Sequence, residues 1–457
     1  MKKRIFLSTF LILLILFTSL VCPILATEVD ESNEPFSIKA KAAMLVDMNN
    51  GRVVYEQNAD ERIYPASLTK IMTCLLVLEN SNLSDIITVS ESALADITGD
   101  SSTAGLKVGE QISLENLLYC MMIVSGNETC NVAAEHVAGS VKDFVRMMNE
   151  RAFELGCTGT HFVNPHGLHD EEHYTTARDL ILITQAALKS ETFKQITNTP
   201  VFTLPATNLS EERILRTTNM LIYDSTSNGF YYRRASGIKT GYTTPAGRCV
   251  ISTAKDDGLY YLGLVCGAET SLDEYGNVLM ESFPECIKLF NYGFEQFAYH
   301  TALSPLYPVT QIGIRNSASS EFVALAPQTE VKVLLPTDFD EKLLQVDISL
   351  VSEIVDAPIA SGDSFGKADV YYKGELLGTT QLVAIADIAK SELTAAAAET
   401  SNYIQQNWWK WIVFLIVFAV AAFVGWLVYC YIRRQQQRRA RMEERRRSIE
   451  RSENGWL

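Results

Sequence analysis

Strand-like segments bracket a long helical stretch in this chain, and that arrangement limits the fold more than any other feature. Ala42 to Asp47 runs into a turn at Asn49-Asn50-Gly51 and returns through Arg52 to Tyr55, a hairpin pattern. Helical periodicity then dominates from Ser67 to about Leu188. Strand pattern resumes at Arg248 to Ala254, turns at Asp256-Asp257-Gly258 and continues from Leu259 to Cys266. Strands at both ends with helices between them predict an α/β unit, over residues 37–295, whose single antiparallel sheet is assembled from the two ends of the segment. A second region begins near Ser304. There Leu344, Val346, Ile348 and Leu350 alternate with Gln345, Asp347 and Ser349, and a Lys373-Gly374 turn separates two more strand-like runs. Residues 304–394 therefore read as a small all-β module.

The two ends of the chain set its compartment. Met1-Lys2-Lys3-Arg4 followed by the apolar run Ile5 to Val21 has the form of a secretory signal over residues 1–26, with cleavage expected after Ala26. Residues 395–410 form a polar, alanine-rich stalk, and Trp411 to Ile432 carries no charge over a length that spans a bilayer as a helix. Trp408, Trp409 and Trp411 cluster at one edge of that segment, and Tyr429 and Tyr431 lie at the other, as interfacial aromatic belts do. Residues 433–457 hold nine arginines against four glutamates, which places that tail in the cytoplasm. The expectation is a cell-membrane protein with a single-pass C-terminal helix and both folded units outside.

Charge and cysteine content narrow the partners. The formal net charge is −15, and removing the two basic ends leaves about −23 on residues 27–432. An acidic ectodomain argues against nucleic acid or an anionic surface as its partner. Seven of the nine cysteines fall in the ectodomain, at irregular spacing and without a Cys-x-x-Cys, so neither a zinc ribbon nor a redox motif is supported. Cys74, Cys120 and Cys266 sit in apolar runs and are expected as small buried hydrophobes.

Three short strings follow one another through the first unit: Ser67-Leu68-Thr69-Lys70, Ser125-Gly126-Asn127 and Lys239-Thr240-Gly241. Ser-x-x-Lys alone says little, because the chain has three more, starting at Ser236, Ser252 and Ser364. Context separates the first from the others. Pro65-Ala66-Ser67 opens the apolar run Ile71, Met72, Leu75, Leu76 and Leu78, a buried helix on which Lys70 at i+3 shares a face with Ser67. A serine hydroxyl is a poor nucleophile until a neighbouring base takes its proton, and a lysine does so only when neutral. Desolvation in a closed cleft and repulsion from a second cation, for which Lys239 is the candidate, would both lower the Lys70 pKa. Ser113-Leu114-Glu115-Asn116 caps a helix ending near Val124, and Asn127-Glu128 begins another that stops before Gly139. Ser125-Gly126-Asn127 is thus an inter-helix turn, where Ser125 can pass a proton to a leaving amine and Asn127 can hold a substrate amide or fix Lys70. Lys239-Thr240-Gly241 offers a cation and a hydroxyl to a carboxylate, and Gly241 lets the backbone approach a ligand closely.

A metal reading competes for one segment. His161, His166, His169 and His173 place four of the six histidines within thirteen residues, and His169-Asp170-Glu171-Glu172-His173 matches an H-x-x-E-H string. That string works only on a helix. Pro165 and Gly167 lie just upstream, and Thr176 with Asp179 forms a capping box for a helix starting after His173. The histidines are expected in a loop, with no metal and no other cofactor.

These residues resemble the serine D-alanyl-D-alanine carboxypeptidases, the low-molecular-mass penicillin-binding proteins that trim peptidoglycan stem peptides. The resemblance rests on Pro65 through Thr73, on Asn164-Pro165-His166-Gly167-Leu168 with Thr175 through Leu180, and on Gly237-Ile238-Lys239-Thr240-Gly241-Tyr242-Thr243, and it covers about residues 37–395. It implies a β-lactamase/transpeptidase-like catalytic domain followed by a β-rich domain. Ser67 would be the acylated nucleophile, Lys70 the proton acceptor and Ser125 the third catalytic residue. Lys239 and Thr240 would bind the terminal carboxylate, and the backbone N–H groups of Ser67 and Tyr242 would form the oxyanion hole. The implied partners are the peptidoglycan stem peptide and β-lactam antibiotics.

The chain also departs from the family. Glu128-Thr129 stands where Asp-Ala commonly follows Ser-x-Asn. Glu269 to Asn277, the loop that often carries an arginine near the substrate carboxylate, holds only acidic charges, and Arg248 reads as a weak substitute. A spanning helix replaces the usual amphipathic anchor. The rival readings are a β-lactamase-like hydrolase or D,D-endopeptidase of the same fold, and a catalytically silent wall-binding protein. Against the first, the interval from Ser125 to Lys239 lacks the Glu-x-x-x-Asn arrangement used for fast deacylation.

Overall fold

A computed structural model of the chain describes residues 36–98, 101–225, 229–272 and 278–453. The signal segment expected at residues 1–26 lies outside the described residues. Two compact units divide between Ala298 and Tyr299.

In the first unit, β1 (Ala42–Asp47), β2 (Val53–Gln57), β3 (Ala235–Thr243), β4 (Gly247–Asp256) and β5 (Leu259–Ala268) form one sheet in the order β2-β1-β5-β4-β3. Every neighbouring pair is antiparallel. The N-terminal hairpin lies against the last core strand, with Ala42 opposite Cys266 and Asp47 opposite Tyr261, so the sheet closes from the two ends of the segment as its pattern requires. β1 is buried along its whole length because both faces are covered, and its sequence is accordingly almost wholly apolar.

The helices follow the order α1 (Lys70–Asn80), α2 (Leu114–Ile123), α3 (Asn127–Ala138), α4 (Val141–Glu154), α5 (Ala177–Ala187), α6 (Glu191–Thr197) and α7 (Ser282–Gln296). Side-chain oxygens accept the first free N–H groups of four of them. Ser113, Ser140, Thr176 and Ser190 bond to the amides of Asn116, Asp143, Asp179 and Phe193, each at 3.0–3.3 Å. Lys70 to Val77 of α1 are all buried, so this helix runs through the core instead of over it. The sequence reads as a helix from Ser67, but Ala66–Thr69 is a 3-10 turn and the α-helix starts only at Lys70. Ala66 takes φ of +47°, which regular helix entry does not permit.

The second unit contains a six-stranded sheet of β6 (Thr310–Arg315), β7 (Phe322–Pro327), β8 (Leu344–Leu350), β9 (Ile354–Asp356), β10 (Ser364–Tyr372) and β11 (Glu375–Ala384), in the order β8-β10-β11-β7-β6-β9. Ile312, Leu325, Val333, Val370 and Leu382 form its core. Alternation locates β8. As an edge strand it leaves Val346 and Ile348 exposed at 39% and 38%.

The same unit ends in α8 (Glu392–Glu453), one uninterrupted helix of 62 residues. The stalk, the apolar segment and the described part of the basic tail are one element, because no proline or helix-terminating turn interrupts a run rich in Ala, Gln, Glu and Arg. It is long and apolar enough to cross a membrane, and its apolar stretch has no protein cover.

Candidate active site

The three strings converge on one cleft of about 640 Å³, lined among others by Ser67, Ser125, Asn127, Thr240, Gly241 and Tyr242. Ser67 sits in the turn before α1, so a hydroxyl and an amine one residue into the helix face the same side. Lys70 Nζ donates to Ser67 Oγ (2.9 Å), to Asn127 Oδ1 (2.7 Å) and to the His166 carbonyl (2.7 Å). Three donors meet three acceptors. When the ammonium loses a proton, Asn127 Oδ1 and the carbonyl can still only accept. The lone pair therefore faces Ser67, whose hydroxyl becomes the donor. A neutral Lys70 held this way directs its lone pair at the Ser67 hydroxyl.

Burial of Lys70 lowers its pKa to about 8, against a smaller upward pull from Cys130 and Glu128. Burial also drives Lys239 well below the ordinary lysine range, and the neighbouring Lys70 charge lowers it further. Desolvation is the largest cause for both lysines. Glu128, behind the Ser125-Gly126-Asn127 turn, is pushed upward by burial; its Oε1 accepts from the Ala104 amide at 2.6 Å.

The inter-helix turn falls between α2 and α3, where the sequence locates it. Ser125 holds φ of +62°, and its Oγ is buried without a protein partner. Asn127, the first residue of α3, accepts from Lys70 through Oδ1, which leaves its amide Nδ2, unpaired among the described residues, free for a substrate. On β3, Lys239 Nζ donates to the Thr240 carbonyl at 2.9 Å, and the Thr240 hydroxyl pairs with that of Thr218 at 2.7 Å. A Cβ on Gly241 would lie 3.0 Å from the Ser67 amide nitrogen and 3.1 Å from Ala66 Cβ. Glycine there lets the strand run directly beside the nucleophile turn. The exposed side chain of Tyr242 reaches into the cleft opening.

The histidine segment serves as scaffold. His166 contributes its backbone carbonyl to Lys70, and His173 Nε2 lies 2.8 Å from Thr69 Oγ1. Thr73 Oγ1 donates to the Pro165 carbonyl at 2.6 Å. Burial lowers both His166 and His173 to about 3, which keeps the imidazoles neutral. The expected capping box is half formed: Asp179 spends its carboxylate on the Gly159 amide and the Thr160 hydroxyl. The six ectodomain cysteines other than Cys249, and Cys249 itself, are buried free thiols.

Sequence reasoning missed three contributors. The His166 carbonyl has no side-chain signature. Thr218 lies in an irregular segment without periodicity. Gly167 gives a signal in hindsight, since an isolated glycine after Pro-His can mark a close backbone approach.

The first unit matches a family model described as D-alanyl-D-alanine carboxypeptidase over residues 28–270, and the second matches one described as penicillin-binding protein 5, C-terminal domain, over residues 308–390. The chain is 31% identical over 358 residues to D-alanyl-D-alanine carboxypeptidase DacF of Bacillus subtilis, covering 77% of this chain and 87% of that protein. It is 30% identical over 370 residues to D-alanyl-D-alanine carboxypeptidase DacC of Escherichia coli, covering 79% and 86%. Among solved structures, penicillin binding protein 5 of Haemophilus influenzae superposes with a TM-score of 0.58 at 26% identity, over 78% of this chain and 99% of that one. The Streptomyces K15 DD-transpeptidase gives 0.51 at 28% identity, over 57% and 99%.

Gly167 generates a prediction. It holds φ of +89°, and a Cβ there would lie 1.9 Å from the Ala66 carbonyl oxygen. Gly167→Ala should displace the Ser67 turn and slow acylation by about a hundredfold, the cost of roughly an ångström of misplacement at a reacting group. Stopped-flow acylation of protein shown to be folded by circular dichroism measures it; a rate within about threefold of the native protein contradicts it.

Proposed function

The chain belongs to the D-alanyl-D-alanine carboxypeptidase family, and on that premise we propose that Ser67, Lys70 and Ser125 carry out its acyl-enzyme chemistry on peptidoglycan stem peptides. The single observation that supports this assignment most is the Lys70 Nζ to Ser67 Oγ contact of 2.9 Å inside a cleft. Neutral Lys70 takes the Ser67 proton as Oγ attacks the carbonyl between the two D-alanines. The oxyanion is assigned to the N–H groups of Ser67 and Tyr242, a reading supported by the close passage of Gly241, next to Tyr242, beside the Ser67 amide. Ser125 relays the proton held on Lys70 to the departing D-alanine nitrogen, which returns Lys70 to the neutral form, and water then hydrolyses the ester on Ser67. Thr240 receives the free carboxylate of the terminal residue, and Lys239, buried behind it, donates to the Thr240 carbonyl.

The protein is a serine hydrolase of the penicillin-binding class, and its C-terminal apolar helix fits a membrane anchor. We place the arginine-rich tail in the cytoplasm and both folded units outside, from the charge asymmetry about residues 411–432. The stalk and β-rich unit then act as a spacer between membrane and wall, a reading based on their order in the chain.

The β-lactam amide of penicillin, strained by its ring, and the adjacent carboxylate occupy the place of the amide and free carboxylate of the peptide terminus. Intact-mass analysis after penicillin treatment should show a single adduct that is absent in Ser67→Ala. Lys70→Ala should acylate roughly 10² to 10⁴ times more slowly. An adduct persisting in Ser67→Ala would overturn the assignment. High-salt or carbonate washing should leave the protein in the membrane fraction, since a spanning helix is not held by charge. Release into the wash would contradict the anchor.

A further inference from the structure

Two lysines lie in the site, but both are buried beneath its floor and shifted toward the neutral form. The cleft itself is lined by serines, threonines, an asparagine and apolar groups. Among the described residues, Arg248 is its one formally charged lining side chain. Arg248 forms no ion pair or side-chain hydrogen bond among those residues, and its Nε is buried without a partner. Its guanidinium carbon stands 4.6 Å from the Tyr242 ring centroid, so the planar group lies over the ring.

Strand geometry fixes where this cation can reach. Tyr242 on β3 is directly opposite Arg248 on β4, and residues directly opposite in an antiparallel pair share a face. Thr240, two residues from Tyr242, shares that face as well. Lys239 and Gly241 point to the other. Thr240 and Arg248 are thus diagonal neighbours, roughly 7–8 Å apart along the pair and within reach of an arginine side chain. The Thr240 hydroxyl, hydrogen-bonded to Thr218, lies in the same cleft. Arginine has a planar fork that matches a carboxylate with two parallel N–H donors. An unpaired donor held out of water at the edge of a cleft is costly until an acceptor arrives. No lysine or arginine occurs between Glu269 and Asn277, so that loop supplies no competing cation.

We propose that Arg248 is a specificity residue of this site that recognises the free C-terminal carboxylate of the substrate, jointly with Thr240. The assignment deepens the carboxypeptidase reading and rests on it. Arg248 supplies charge at the mouth, and its stacking on Tyr242 holds the fork in place before substrate binds.

The test compares acylation by benzylpenicillin with acylation by its methyl ester, followed by intact mass, in the full-length protein, Arg248→Gln and Arg248→Lys. D-alanine release from a diacetyl-Lys-D-Ala-D-Ala peptide is measured in the same preparations. Arg248→Gln should lower the rate with the free acid by about ten- to a hundredfold, the usual effect of losing a hydrogen bond to a charged group, and leave the ester rate within about threefold. Arg248→Lys should fall between, because it keeps charge without the fork. An equal loss with both compounds would assign Arg248 to holding Tyr242 and overturn the proposal. An unchanged free-acid rate would also overturn it, while intact D-alanine release by the native protein would leave the carboxypeptidase reading standing. Absence of both acylation and D-alanine release in the native protein would remove the proposal and the reading beneath it.

Discussion

One buried amine ties the catalytic unit together. Lys70 Nζ joins its own helix to the start of α3 through Asn127 and to the loop after α4 through the His166 carbonyl, while its third bond meets Ser67. An amine removed from water needs partners for every proton it keeps. Those partners come from segments 57 and 96 residues away, so the base is seated only when the whole helical layer has formed. The same burial brings its pKa down to about 8, close to the range where it can act as a base. Structure and reactivity here have one cause.

Close backbone packing supplies the other half of the geometry. The turn at Ala66 and Ser67 lies between two glycines that leave no room for a side chain. Gly167 abuts the Ala66 carbonyl from one side, and Gly241 of β3 passes the Ser67 amide on the other. The nucleophile is therefore clamped between a loop and a strand, with Ala66 held at positive φ. Positive φ recurs at Ser125, the second hydroxyl of the site. Unfavourable backbone at these two positions of the cleft is tolerated where surrounding packing overdetermines it.

Much of this was readable from residues alone. The hairpin at Asn49-Asn50-Gly51, the caps at Ser113 and Thr176 and the order of strand and helix patterns each carry a local signal, and each appears in the fold. The three strings announced themselves because a reactive pair at i, i+3 and a glycine on a strand have few other uses. What stayed hidden depends on distant backbone. The His166 carbonyl leaves no trace in its side chain, the 3-10 entry before α1 is set by contact with Gly167, and the exposure of β8 follows from its place at a sheet edge. Which face Arg248 shares with Tyr242 and Thr240 emerges only from the pairing register. The uninterrupted run of α8 through the expected stalk is a further case, where helix-forming residues outweigh polar composition.

Burial, through a fixed set of acceptors, is what would make Lys70 a base. The groups facing it are Lys239, Cys130, Glu128 and His166, and burial outweighs the upward pull of Cys130 and Glu128. A lowered amine pKa means the proton leaves at lower pH, so activity should rise with pH until Lys70 is neutral and then level. The direct measurement is the pH dependence of the second-order acylation rate by benzylpenicillin, which does not itself titrate in this range. The predicted profile rises about tenfold per pH unit on the acid side and levels near pH 8. A rate still climbing steeply at about pH 10, as an ordinary lysine would give, would contradict it.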